Sequence, residues 1–260
     1  MVVCKSPAEI EKMRAANELV ADILEVLAAM VAPGVSTGDL DAEAEKLARA
    51  AGAVPAFKNY RGYPATLCTS VNEQVVHGIP SAEAVLRDGD IVSIDMGVKL
   101  NGFFGDSAVT VPVGRVTESV TRLLDVTRAS LEQGIAAVAV DGRVSDIGHA
   151  VQAYVEAHGF SVVREFVGHG IGAALHEEPQ VPNYGERGRG TRLRAGMVLA
   201  IEPMVNMGRP EVKVLRDGWT AVTKDGSLSA HFEHTVAVTT DGPRILTVPR
   251  SRRGATPNVA

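Results

Sequence analysis

The chain has 260 residues, enough for one large domain or two small ones, and 45% of them are hydrophobic, which excludes wholesale disorder. A formal net charge of −5 argues against a nucleic-acid binder, which needs a basic surface. Two cysteines, Cys4 and Cys68, make neither a disulfide framework nor a CxxC zinc pair, and no uncharged apolar run has the length of a membrane span or forms a signal-peptide core. The expectation is a cytoplasmic protein with reduced thiols and no membrane or nucleic-acid partner, a monomer by default.

Ser6-Pro7-Ala8-Glu9 is a capping box with proline at the first helical position. Ile10, Met13, Val20, Leu24, Leu27 and Val31 follow at helical spacing, and Pro33-Gly34 ends the run. A second helix is predicted over Asp39–Ala51 with Gly52 as its stop. Residues 64–113 are β-rich with Gly and Pro punctuation. Residues 117–138 return to helical spacing, and Ser145 is placed to cap a further helix that runs to His158 before Gly159. From Phe160 to Val248 the pattern is strands and loops, and the polar, basic stretch 251–260 is expected to be a disordered tail.

Two helices followed by strands thus occur twice. "LRDGDIVSIDM" at 86–96 resembles "LRAGMVLAIEPM" at 193–204, at an offset of 107 that also relates Asp39-Leu40 to Asp146-Ile147 and Gly52 to Gly159. A single domain over residues 1–250 built from two related halves, about 5–113 and 114–248, is the expected organisation. It makes Asp95 and Glu202 equivalent.

Within "IVSIDMGVKLNGFFGDSAV", Asn101-Gly102 between apolar runs predicts a two-residue hairpin. Leu100 then pairs with Phe103, Gly97 faces Asp106, and Asp95 faces Ala108. The two aspartates become diagonal neighbours on one face, with Cβ atoms under about 7–8 Å apart. Ionised carboxylates this close need a cation, or one must keep its proton. The alternative is one exposed aspartate and one that caps a turn. Later segments add Glu202 in "VLAIEPM", Glu233 in "SAHFEHTVAV" and His169 in "VGHGIG", where the glycines leave room for close approach to a ligand. Each could be a strand end, a solvated strand residue or a loop histidine.

With "CTSVNEQVVHGIP", "DGDIVSIDMGVKLNGFFGDSA", "GHGIGAALHEEPQVPNYG", "GMVLAIEPM" and "DGWTAVTKDGSLSAHFEHTVAV" in this order, residues 4–248 resemble type I methionine aminopeptidases of the bacterial kind. The resemblance implies an α+β pita-bread fold, two pseudo-symmetric halves forming a curved antiparallel sheet covered by helices. It implies two divalent ions (Co, Mn, Fe or Zn) on Asp95, Asp106, His169, Glu202 and Glu233. Asp106 and Glu233 would bridge, and Glu202 would also serve as general base and then acid. His77 and His176 match two histidines that contact either side of the scissile amide. Phe57, Tyr60, Tyr63, Cys68, Leu175 and Trp219 match the methionine side-chain pocket, and Asn72, Gln74 and Ser229 match a monovalent-cation site. The implied substrates are nascent polypeptide N-termini at the ribosome with a small second residue.

Leu175 and Gly97 depart from the pattern, where an aromatic residue and a hydroxyl residue are frequent, so pocket shape and metal hydration are in question. His231 and His234 flank Glu233 and are expected in supporting or surface roles, and Glu177 and Glu178 are read as loop carboxylates. The rival readings are an Xaa-Pro aminopeptidase, for which the chain has no N-terminal domain ahead of Ser6, a pita-bread binding module without catalysis, and a structural calcium site on Asp95 and Asp106. The last leaves His169 unexplained, since calcium prefers oxygen.

Overall fold

In the computed structural model, residues 2–252 are described. Helix α1 (Pro7–Met30) starts at the box foreseen for it, with the Ser6 side chain accepting from the Glu9 N–H and Glu9 Oε2 accepting from the Ser6 N–H. Helix α2 (Thr37–Ala50) begins two residues before the expected start, because Ser36 and Asp39 form a second capping box that puts Asp39 in the first turn. After β1 (Val54–Pro55) come β2 (Leu67–Val71), β3 (Gln74–Val76), β4 (Ile91–Leu100) and β5 (Phe103–Pro112).

The second half opens with α3 (Glu118–Ala136), capped by Thr117, and α4 (Val144–Ala157). Ser145 does not cap α4. Asp146 Oδ2 accepts from the Arg143 N–H, and Ser145 Oγ donates to the Arg189 carbonyl. Strands β6 (Ser161–Val162), β7 (Gly168–Gly170), β8 (Glu177–Val181), β9 (Val198–Ile201), β10 (Met204–Asn206), β11 (Val212–Val214), β12 (Ala221–Thr223), β13 (Ser229–His231), β14 (His234–Thr239) and β15 (Gly242–Ile245) follow. Helices α2 and α4 begin and end 107 residues apart, as do β1 and β6, and β9 begins 107 residues after β4.

Every strand pair is antiparallel. β4 is flanked by β1 and β2 on its way across one sheet and pairs with β5. In the other half the order is β15-β14-β9-β7-β8, with two three-stranded sheets, β13-β10-β6 and β11-β12-β3, beside them. Leu19, Val20, Ile23, Leu24 and Leu27 of α1 bury against Ile94, Met96 and Val98 of β4, while Leu123, Leu131, Ile147 and Val151 of α3 and α4 bury against Leu199, Ile201 and Val236.

The halves meet where an isolated bridge joins Ala108 to Glu233. Ser107 Oγ donates to the Glu233 carbonyl at 2.6 Å, Thr235 Oγ1 to the Asp106 carbonyl at 2.8 Å, and Thr110 Oγ1 both donates to the His231 carbonyl and accepts from its N–H at 2.8 Å. These side chains are buried, so each bond replaces water that cannot reach the seam. Residues 251 and 252, expected in a disordered tail, instead close a 3-10 turn over Arg250–Arg252, with the Arg250 N–H on Asp22 and Ser251 Oγ on Glu25. The rest of that stretch lies outside the described residues.

Candidate metal centre

The β4–β5 hairpin has the register expected of a two-residue turn: Leu100 opposes Phe103, Gly97 opposes Asp106 and Asp95 opposes Ala108. Asn101 and Gly102 sit at φ 53° and 86°, both left-handed, as a hairpin turn of this length requires. Asp95 and Asp106 therefore share one face of the sheet. Across the seam, Glu233 lies between β13 and β14 and pairs with Ala108, and Glu202 directly follows β9, ahead of Pro203 and β10.

His169 is in strand β7 and not in a loop. A side chain at Gly168 would meet the Ala200 carbonyl at 2.3 Å, and one at Gly170 the Glu178 carbonyl at 2.4 Å. The flanking glycines thus serve close packing of β7 on its neighbours and not approach to a ligand.

Asp95, Asp106, His169, Glu202 and Glu233 all line one cavity of about 600 Å³. Ligand atoms of Asp106, His169 and Glu233 lie within 4.8 Å of one another. His169 Nε2 is 3.8 Å from Asp106 Oδ2 and 3.6 Å from Glu202 Oε1. Nδ1 of His169 lies 2.9 Å from the Gly170 carbonyl, which fixes the proton on Nδ1 and leaves the Nε2 lone pair directed at the carboxylates.

Burial pushes Asp95 up to about 7. Burial and then the charges of neighbouring carboxylates raise Asp106, Glu202 and Glu233 well above the ordinary carboxylate range. Burial, followed by nearby His176, lowers His169 to about 3, so its imidazole is neutral. Asp95 Oδ1, Asp106 Oδ1 and Glu233 Oε1 are buried and have no hydrogen-bond partner among the described residues. Orphaned buried acceptors of one sign, with a free imidazole nitrogen among them, fit a divalent cation.

His77 and His176 line the same cavity, as do Phe57, Tyr60, Tyr63, Cys68, Leu175 and Trp219. His176 Nδ1 is 2.8 Å from the Tyr60 hydroxyl, and its ring meets that of His169 at 4.3 Å. His77 stands edge-on to Phe166 at 5.3 Å, and Trp219 edge-on to Tyr63 at 5.1 Å. Phe166 is a wall residue that the sequence reading did not single out, and it carries no sequence mark.

Neither histidine beside Glu233 is a surface residue. His231 is 2% exposed with Nε2 unpartnered, 3.8 Å from Glu202 Oε2, and His234 Nδ1 pairs with Thr247 Oγ1 at 2.7 Å. Glu177 and Glu178 begin strand β8 and are not loop carboxylates. Glu177 accepts from the buried Lys5 ammonium at 2.6 Å.

The residues matched to a monovalent-cation site are neighbours: the Ser229 N–H donates to the Asn72 carbonyl at 2.9 Å, and Gln74 Oε1 accepts from the Val71 N–H. None of the three has an unpartnered buried side-chain oxygen.

Residues 11–240 match the model of metallopeptidase family M24. The chain is 54% identical to methionine aminopeptidase of Clostridium perfringens over 95% of its own length and 99% of that protein's, and 53% identical to methionine aminopeptidase 1 of Bacillus subtilis with the same coverage. Among solved structures it is similar to methionine aminopeptidase from Rickettsia prowazekii, with a TM-score of 0.94 and 42% identity over 95% of this chain and all of that one. The prolidase of Pyrococcus horikoshii, at 22% identity and a TM-score of 0.77, shares the fold and is longer, this chain covering 65% of it. The α+β architecture is the pita-bread fold, and the chain belongs to metallopeptidase family M24, among its bacterial type I methionine aminopeptidases.

Proposed function

We propose that the protein removes the N-terminal methionine from nascent proteins and peptides whose second residue is small, using two divalent ions held by Asp95, Asp106, His169, Glu202 and Glu233. The observation that carries this reading is the convergence of four acids and one neutral imidazole, from both halves, on one cavity, with a buried oxygen of Asp95, of Asp106 and of Glu233 unpartnered among the described residues. When bound, such ions lower the pKa of water and stabilise negative charge that develops on a carbonyl oxygen.

The protein's own groups do the rest. Burial raises Glu202, which suits a carboxylate that takes the proton of the attacking water and returns it to the leaving amine. Burial, with His176 nearby, lowers His77 to about 4, so it stays neutral at working pH and can offer one hydrogen bond to the peptide. Tyr60 engages Nδ1 of His176 and leaves the other ring nitrogen for the substrate. In the pocket, Phe57, Tyr60, Tyr63 and Trp219 give rings to a thioether, and sulfur–ring contacts are mildly favourable. Burial holds the Cys68 thiol protonated, so it acts there as a small apolar wall. The reading carries with it the cytoplasm as location and the monomer as the working unit. A monovalent cation at Asn72, Gln74 and Ser229 rests on resemblance alone.

The test strips the protein with chelator, restores Co, Mn, Fe or Zn in turn, and assays Met-Ala-Ser beside an Xaa-Pro peptide. Release of methionine only when metal is present is the expected result. Cleavage of the Xaa-Pro peptide alone would reassign the substrate, and cleavage of neither would leave a binding module.

A further inference from the structure

Gly97 lies inside β4, directly opposite Asp106 and two residues from Asp95, on the face that carries both aspartates. Its φ is not in the left-handed range, so the backbone does not require glycine there. A glycine inside a strand weakens it relative to alanine. Something else must keep the side chain out.

That something is the neighbouring segment. A Cβ built on Gly97 would lie 2.8 Å from Phe57 Cε1, 3.3 Å from Phe57 Cζ and 3.0 Å from Ala56 Cβ. The segment cannot back away cheaply. Val54 and Pro55 are in register with Lys99 and Val98 of β4, and the Ala56 N–H donates to the Gly97 carbonyl at 2.9 Å. Phe57 also belongs to a packed cluster with Ile10, Met13, Tyr63 and Leu175. Phe57, with Tyr63 and Leu175, is also part of the cavity wall. A side chain at 97 would therefore press on a ring that borders the space that takes the substrate's first residue, and a ring held by β1 and its cluster can yield into that space.

We propose that Gly97 is a specificity-determining residue, whose missing side chain lets the Phe57 ring lie against β4 as a wall of the pocket for the first residue of the substrate. This rests on the reading of that cavity as the methionine pocket. Positions 97 and 57 then act as a pair: the strand can carry a side chain, or the segment can carry a ring, and the pocket keeps its width only when one of them is present. Gly97 is opposite Asp106 in the ladder but offers no side chain to a metal or a substrate; it acts on the pocket through Phe57.

A double-mutant cycle tests this with wild type, Gly97→Ala, Phe57→Ala and the double variant, each loaded with the metal that best restores the wild type. Gly97→Ala is expected to lower kcat/KM on Met-Ala-Ser tenfold or more, chiefly through KM. The same substitution in the Phe57→Ala background is expected to change it by less than threefold. Phe57→Ala alone should raise turnover of Phe-Ala-Ser relative to Met-Ala-Ser at least tenfold, because the wall has gone. Denaturant unfolding of the metal-free proteins supplies the readout independent of activity: Gly97→Ala should destabilise the wild type and leave Phe57→Ala nearly unchanged. Phe57→Leu, which keeps the core filled, repeats the selectivity test if Gly97→Ala fails to fold.

Equal losses in both backgrounds would overturn the proposal, and so would coupled stability with KM and selectivity unmoved, which would make the contact mere packing. A wild type inactive on Met-Ala-Ser with every metal would sink the peptidase reading and the specificity claim with it. The unfolding cycle would still report the ring–glycine contact, so the two failures are distinguishable.

Discussion

Glu202 Oε1 stands 3.6 Å from His169 Nε2 and Oε2 stands 3.8 Å from His231 Nε2, so this carboxylate touches both the candidate metal ligands and a second buried imidazole. Glu202→Gln keeps the shape and one oxygen but cannot carry a proton. It should fold, with an unchanged circular dichroism spectrum, and lose turnover by about 10²–10⁴-fold, the usual weight of general acid–base catalysis. Proton competition gives a second prediction at this scale. A carboxyl whose pKa is raised keeps its proton where an ordinary one has lost it, and a cation must displace that proton. With Asp95 near 7 and Asp106, Glu202 and Glu233 also raised, Mn²⁺ affinity should climb as pH rises from 6 through 7. Metal uptake at pH 6–7 should release protons in a calorimetric titration repeated in two buffers. Uptake without proton release would mean the acids are already ionised.

Among the elements, the β4–β5 hairpin sets the register that puts Asp95 and Asp106 on one face. Replacing Gly102 by valine forces a β-branched residue into φ 86° and should cost about 1–2 kcal/mol, read as a lower denaturant midpoint for the metal-free protein, with weaker metal binding in step. An unchanged midpoint would show that the sheet, and not the turn, holds the register. This hairpin was legible in the sequence because its signal is local: two turn residues and the alternation on either side fix every pair. Capping is legible at Ser6 for the same reason, and the equally local Ser36–Asp39 box starts α2 two residues ahead of the expected Asp39. What could not be read were contacts between distant segments. The buried Lys5–Glu177 pair joins residues 172 apart in sequence and pins the strand that follows His176. The ring of Phe57 over Gly97 depends on β1 lying against β4, which no spacing announces. Phe166 beside His77 is likewise a product of packing.

Over the whole molecule, the five candidate ligands are contributed by β4, β5, β7, the residue after β9 and the residue before β14, so neither half holds the set alone. The seam of Ser107, Thr110 and Thr235 bonds, with the Ala108–Glu233 bridge, brings the two shares together. The 107-residue offset already visible in the sequence pointed to this arrangement, because a duplicated unit places equivalent strands about a common axis. It could not say how closely the acids would approach. Metal should accordingly stabilise the entire fold, by about 2.7 kcal/mol at a hundredfold excess over Kd. The most direct test counts metal on the chelated and dialysed full-length protein after equilibration with Mn²⁺ or Co²⁺, for the wild type and for Asp106→Asn and Glu233→Gln. Two ions per wild-type chain, with a loss in each variant although one substitution lies in either half, is the predicted result. A wild type that retains no ion, or variants that bind as many as the wild type, would contradict a shared centre.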